Sequence, residues 1–201
     1  MRSPRPGGHV DDGDAAGADL ASGGGSAGTP VPPDSSPYWT FYEEVASRQL
    51  AAWAPAAPCR VLDLSGGRAR FAGQLVDAGH EVVHVCDARV PIDVDPDAPG
   101  RLLPVLADAR QLGWLADASV DAVLAESRAL SMCLATEVTV ADLRRVLRPG
   151  GRLLLVVDSL GLGLARLAEQ GRWAELADVP SADVVLVPGP DGAITRCFWP
   201  E

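Results

Sequence analysis

The sequence predicts one α/β domain built on a parallel sheet, and three observations carry that prediction. From Arg60 onward, short apolar strand patterns alternate with helical ones, the order in which crossover helices link parallel strands. The first strand pattern runs through Asp63 into Ser65-Gly66-Gly67, an acid followed by a small-residue turn and a helix. An open sheet holds a nucleotide-like ligand at that carboxyl edge. Further on, Pro149-Gly150-Gly151 ends a helical pattern and turns the chain into another apolar strand.

The elements follow in order. Residues 1–36 are rich in Gly, Ala, Asp, Ser and Pro and carry almost no large apolar side chains. Such a tail cannot offset its ordering entropy, so it is expected to be disordered, and the domain occupies residues 37–201. Ser36-Pro37 reads as an N-cap with Pro at the first helical position. Behind it Tyr38, Phe41, Tyr42, Val45 and Trp53 recur at helical spacing, with Phe41, Val45 and Trp53 expected to face the core. Strands are expected at 60–64, 81–86, 102–107, 122–125 and 152–157, with helices at 69–78, 138–147 and 162–177. Between Arg89 and Gly100 the Asp- and Pro-rich sequence suits turns, so the second crossover helix is expected to be shortened or lost. Near the end, Val184–Val187 and Ile194–Phe198 flank Pro188-Gly189-Pro190-Asp191-Gly192, a hairpin signal.

Composition narrows the function. With 201 residues, 47% of them hydrophobic and 22% charged, the chain is long enough for one domain with a real core. The formal net charge is −10, and all 17 basic residues are arginine. That balance argues against a nucleic-acid substrate, which needs a basic stripe. No apolar run approaches the ~20 residues of a membrane span, and no apolar leader follows Met1, so no membrane partner is expected and a cytoplasmic location is. The cysteines Cys59, Cys86, Cys133 and Cys197 form no C-x-x-C pair and do not cluster with His9, His80 or His84. Buried reduced thiols and no metal site are expected.

The stretch Val61-Leu62-Asp63-Leu64-Ser65-Gly66-Gly67-Arg68-Ala69, with a second strand ending in Cys86-Asp87, resembles motif I of class I S-adenosylmethionine methyltransferases. Two later blocks strengthen the resemblance. One is Ala107-Asp108-Ala109, Leu112-Gly113-Trp114 and Ser119-Val120-Asp121-Ala122-Val123; the other is Asp142-Leu143-Arg144-Arg145-Val146-Leu147-Arg148-Pro149-Gly150-Gly151. Together they cover Val61 to Asp158 and look like the small-molecule-type domains of that family. The resemblance implies a Rossmann-like fold with strand order 3-2-1-4-5 and S-adenosylmethionine as cofactor. It also implies methyl transfer to a small-molecule acceptor, whose identity the sequence does not specify.

Site residues follow from the same resemblance. It implies that Ser65, Gly66 and Gly67 let the backbone approach the cofactor, with Asp63 orienting the turn and, often through water, the methionine ammonium. An acid after β2 accepts the ribose hydroxyls, Asp108 accepts from the adenine amino group beside the Ala109 amide, and Tyr42 or Tyr38 reaches the methionine end. Glu126, just beyond the fourth strand, is the candidate general base, with holding the methionine head or capping its loop as equal alternatives. Two departures stand out. Of the family pattern D-x-G-x-G-x-G only the middle glycine, Gly67, is present, with Ser65 and Ala69 at the others. Counting from Asp63, Cys86 rather than Asp87 falls on the usual ribose-acid position; a bend at the strand end brings Asp87 into place.

The hairpin admits two readings. It either closes a seven-stranded sheet as the last strand pair, or is an insertion near the active site in a chain that stops before its sheet is finished. The second is favoured, because Phe198-Trp199-Pro200-Glu201 resembles the entrance to a further helix. The alternative function is a SAM-binding protein of this fold with impaired or no catalysis. A nicotinamide-dependent oxidoreductase is disfavoured because Ser65-Gly66-Gly67-Arg68-Ala69-Arg70 is not G-x-G-x-x-G.

Overall fold

The computed structural model describes residues 37–67, 69–86, 92, 94–126, 128–189 and 192–199. The N-terminal tail, Asp87 and the side chain of Tyr38 therefore lie outside the described residues. Five strands form one sheet: β1 (Arg60–Asp63), β2 (Glu81–Cys86), β3 (Arg101–Leu106), β4 (Val120–Ala125) and β5 (Leu147–Leu155). Their order is β3-β2-β1-β4-β5, and every neighbouring pair is parallel. This is the order that the resemblance implies.

The central strands β2, β1 and β4 alternate their side chains between two apolar layers, so the middle of the sheet is covered on both faces. On one face Val61, Val82, Ala122 and Leu124 pack with Leu50 of α1 (Pro37–Trp53) and with Ala72, Leu75 and Val76 of α2 (Ala72–Asp77). On the other, Leu62, Val83, Val85 and Val123 pack with Leu143 and Val146 of α3 (Thr136–Val146). None of the described residues between β2 and β3 is helical, as the Asp- and Pro-rich sequence there suggests.

The hairpin, β6 (Val185–Pro188) and β7 (Ile194–Cys197), pairs with itself as a separate two-stranded antiparallel sheet. It does not extend the main sheet, so the closing-pair reading fails among the described residues. Its apolar side packs on α4 (Leu160–Glu169) through Leu160, Leu167, Val187 and Cys197. Its far end docks at the carboxyl edge of the main sheet: the Phe198 amide donates to the Asp158 carbonyl at 2.9 Å and the Arg196 amide to the Ser131 carbonyl at 2.8 Å.

Four expectations are corrected. Helix α2 begins at Ala72 rather than Ala69, because Gly66, Gly67 and Ala69 take left-handed backbone angles that a helix cannot contain. Strand β5 begins at Leu147, ahead of Pro149-Gly150-Gly151, with a register shift opposite Val120–Ala122. Gly151 permits this, since a Cβ there would lie 2.9 Å from the carbonyl oxygens of Arg148 and Asp121. The helix expected at 162–177 is two helices, α4 and α5 (Trp173–Asp178), separated at Gly171 with φ of 68°. The break shifts the helical phase and leaves Trp173 on the surface, away from Leu167. Phe41 is likewise exposed; Leu50 and, partly, Trp53 carry the packing of α1.

Candidate cofactor and active site

The site is built around the end of β1. Asp63 is the last residue of that strand and is completely buried. A buried carboxylate is costly unless hydrogen-bonded. Here Oδ1 accepts the Ser65 amide at 2.9 Å, and Oδ2 lies 2.9 Å from Nδ1 of His84. Both oxygens thus have partners inside the protein, and one of those bonds holds the turn.

That turn has an unusual backbone. Gly66 and Gly67 adopt φ of 67° and 54°, and Ala69 follows at 51°. Gly66 and Gly67 take that left-handed conformation at no steric cost, whereas Ala69, at one of the missing pattern glycines, takes it with a Cβ. Ser65 needs no such freedom, and its hydroxyl is used: Oγ accepts the Glu126 amide at 3.3 Å. Ala69 bears the strain of a left-handed alanine, about 1–2 kcal/mol. A Cβ added at Gly66 or Gly67 would meet nothing within 4 Å, so the outer side of the turn is open space where a ligand can approach the backbone.

Glu126 follows directly on β4, the neighbour of β1, and is 4% exposed. Its Oε1 accepts from the Tyr42 hydroxyl at 2.6 Å, which ties α1 to the carboxyl edge of the sheet. Asp63, Ser65, Glu126 and Tyr42 therefore form one connected set. Asp108 and Ala109 stand beyond β3, two strands away and so about 10 Å along the edge. Asp108 is engaged locally, accepting the Arg110 amide at 2.9 Å and pairing with the Arg110 guanidinium at 2.9 Å. The side-chain hydrogen bond from Arg110 holds the Asp108 carboxyl below its ordinary range. Asp87 lies outside the described residues; Cys86 is buried, and its thiol donates to the Val105 carbonyl.

Three contacts were not anticipated. His84 faces Asp63 across the β1–β2 register, in a strand whose other residues after Glu81 are apolar. Asp158, past the end of β5 and 2% exposed, accepts from Arg128 at 2.7 Å and Arg166 at 3.2 Å. The signal available for it was an acid ending a strand, as at Asp63. Cys59 and His80, read as separate, meet at 3.4 Å (Sγ to Nδ1) near the opposite edge of the sheet. Burial pushes the Cys59 thiol up and the His80 ring down. Such a thiol is a poor nucleophile. Among the described residues no group of three or more His, Cys, Asp or Glu is placed to hold a metal ion.

Comparison with known proteins bears on the family and the fold. The model of a methyltransferase domain matches residues 62–155. An uncharacterized methyltransferase of Mycobacterium tuberculosis is 34% identical over 142 residues, 71% of this chain and 57% of that protein. One of Mycobacterium bovis matches to the same extent. The chain thus spans under two thirds of the length of these relatives. Among solved structures, a SAM-dependent methyltransferase of Methanosarcina mazei superposes with a TM-score of 0.54 at 19% identity, over 75% of this chain and 77% of that one. The PH0226 protein of Pyrococcus horikoshii superposes with a TM-score of 0.53 at 21% identity, over 82% and 78%. At those identities the structures speak for the fold, and the curated relatives speak for the family. Residues 62–155 thus match the methyltransferase-domain family, and the chain has the fold of solved SAM-dependent methyltransferases.

Proposed function

We propose that this chain binds S-adenosylmethionine at the carboxyl edge of β1, β2 and β4 and transfers its methyl group to a small-molecule acceptor. The observation that carries this reading is the open left-handed turn at Gly66-Gly67, held by Asp63 and linked through Ser65 to Glu126. A turn of this shape admits a ligand against the backbone and places Glu126 beside it. Bound there, S-adenosylmethionine supplies an electrophilic methyl group on a sulfonium.

The protein's own contribution is mostly positional. Displacement at a methyl carbon gains chiefly from holding nucleophile and carbon close and aligned. In this reading the amides of the turn face the methionine end, and Asp108 with the Ala109 amide reads the adenine edge. Arg110 keeps Asp108 ionised and therefore purely an acceptor. An acid in the segment after β2, Asp87 by sequence, takes the ribose hydroxyls. Glu126, oriented by Tyr42, accepts the proton of a hydroxyl or ammonium acceptor. An acidic chain of net charge −10 supports a small acceptor over a nucleic acid. All four cysteines are free thiols, which suits a reducing compartment and supports a cytoplasmic location. No helix among the described residues is long and apolar enough to cross a membrane.

The test is a methyl-donor turnover assay on purified protein with pooled hydroxylated and amino small molecules. Acceptor-dependent release of S-adenosylhomocysteine supports the reading. Cofactor binding without turnover on any pool would instead support a binding protein.

A further inference from the structure

We infer that His84 is a positioning residue for the cofactor turn, acting through Asp63. The inference rests on the cofactor site described above and adds to it a residue on the neighbouring strand β2. Strands β1 and β2 pair in parallel with Asp63 opposite His84. Both side chains are completely buried, and Nδ1 lies 2.9 Å from Oδ2. A carboxylate only accepts, so Nδ1 carries the hydrogen. The other carboxylate oxygen accepts the Ser65 amide, and Ser65 in turn accepts the Glu126 amide. The ring of His84 is therefore the inner end of a relay that runs through Asp63 and Ser65 to the open turn and to Glu126.

Two physical considerations make this more than a core contact. The first is the state of Asp63 without its partner. Oδ2 would be left buried with its bond unmade, and the carboxylate would gain by rotating toward another donor, which releases the Ser65 amide. The left-handed turn at Gly66-Gly67 would then lose the bond that starts it. The second is what His84 costs. Its Nε2 is buried with no hydrogen-bond partner among the described residues. A valine or leucine would fill an apolar strand without that penalty. The imidazole is accounted for at this position by its bond to Asp63.

The test compares His84→Asn, which places an N–H donor where Nδ1 stands, with His84→Leu and His84→Gln, which do not. S-adenosylhomocysteine affinity is read by titration calorimetry, and the His84 ring nitrogens by long-range proton–nitrogen NMR on the wild type. Loss of a hydrogen bond to a charged group predicts a dissociation constant raised roughly tenfold or more in the Leu and Gln variants. The Asn variant should stay within about threefold of wild type, a rescue that a bulk packing role would not give. The spectrum should show a hydrogen on Nδ1 that is perturbed by Asp63→Asn. If the Leu variant does not fold, the Asn–Gln contrast decides. Equal affinity in the Asn and Gln variants, or an Nδ1 without hydrogen, overturns the role. Failure of the wild type to bind overturns the cofactor site as well, and so is distinguishable from failure of the role alone.

Discussion

The Tyr42 hydroxyl donates to the Glu126 carboxylate at 2.6 Å across 84 residues of sequence, joining the first helix to the carboxyl end of β4. That bond adds to the packing of Leu50 and Trp53 in holding α1 over the site, and it engages the acid nearest the turn. It also gives the aromatic stripe of α1 a functional member, since Tyr42 is half-buried while Phe41 beside it is exposed.

Replacing Tyr42 by Phe removes the hydroxyl and keeps the ring. We expect a stability loss of about 1–2 kcal/mol, the range for a buried side-chain hydrogen bond. Urea unfolding followed by circular dichroism measures it, and an unchanged midpoint would mean that the bond contributes nothing.

Glu126→Gln keeps an acceptor for Tyr42 and a similar volume, so the fold should persist. With an acceptor found by the turnover assay, kcat should fall by about 10²–10⁴, the span of general acid–base catalysis. A fall confined to KM would assign Glu126 to binding rather than proton transfer.

Gly67→Ala tests the backbone of the turn. The added methyl group has open space, with nothing within 4 Å, so any penalty is conformational. A left-handed alanine should cost about 1–2 kcal/mol in stability. Cofactor affinity should fall as well, because the methyl group projects into the approach path. Wild-type stability and affinity together would show that the turn is not used.

Arg110→Met should raise the Asp108 pKa toward its ordinary value near 3.8, because the guanidinium is the main influence holding it down. The sign follows from linkage: the folded pKa lies below the unfolded one. The pair therefore stabilises the fold fully above the ordinary value, and that contribution is lost as pH falls through the depressed one. The effect on stability should be small, since the Asp108 side chain is 34% exposed and screened by solvent. NMR titration of the Asp108 carboxyl in both proteins measures the shift.

Local pattern carried much of this architecture. Strand β2 occupies the span read from Glu81-Val82-Val83-His84-Val85-Cys86, because β-branched residues bounded by Gly79 and the Asp-rich segment admit little else. The acid at the end of β1 and the two glycines after it were legible because their chemistry is local. What sequence did not reveal depended on phase or on long-range pairing. The late start of α2 follows from three left-handed residues, and periodicity does not report φ. The split of the helix expected at 162–177 follows from the left-handed backbone at Gly171, which periodicity does not report either. His84 was invisible as a partner of Asp63 because only the β1–β2 register brings them together. Cys59 and His80 meet for the same kind of reason, at the start of the same two strands.

The most direct test of the account is calorimetric titration of the purified chain with S-adenosylhomocysteine, alongside Asp63→Ala. The account predicts saturable binding at one site for the wild type. It predicts affinity at least about tenfold weaker for the variant, since the turn then loses the charged acceptor that holds the Ser65 amide. No heat with the wild type at millimolar ligand, or equal affinity in the two proteins, would contradict it.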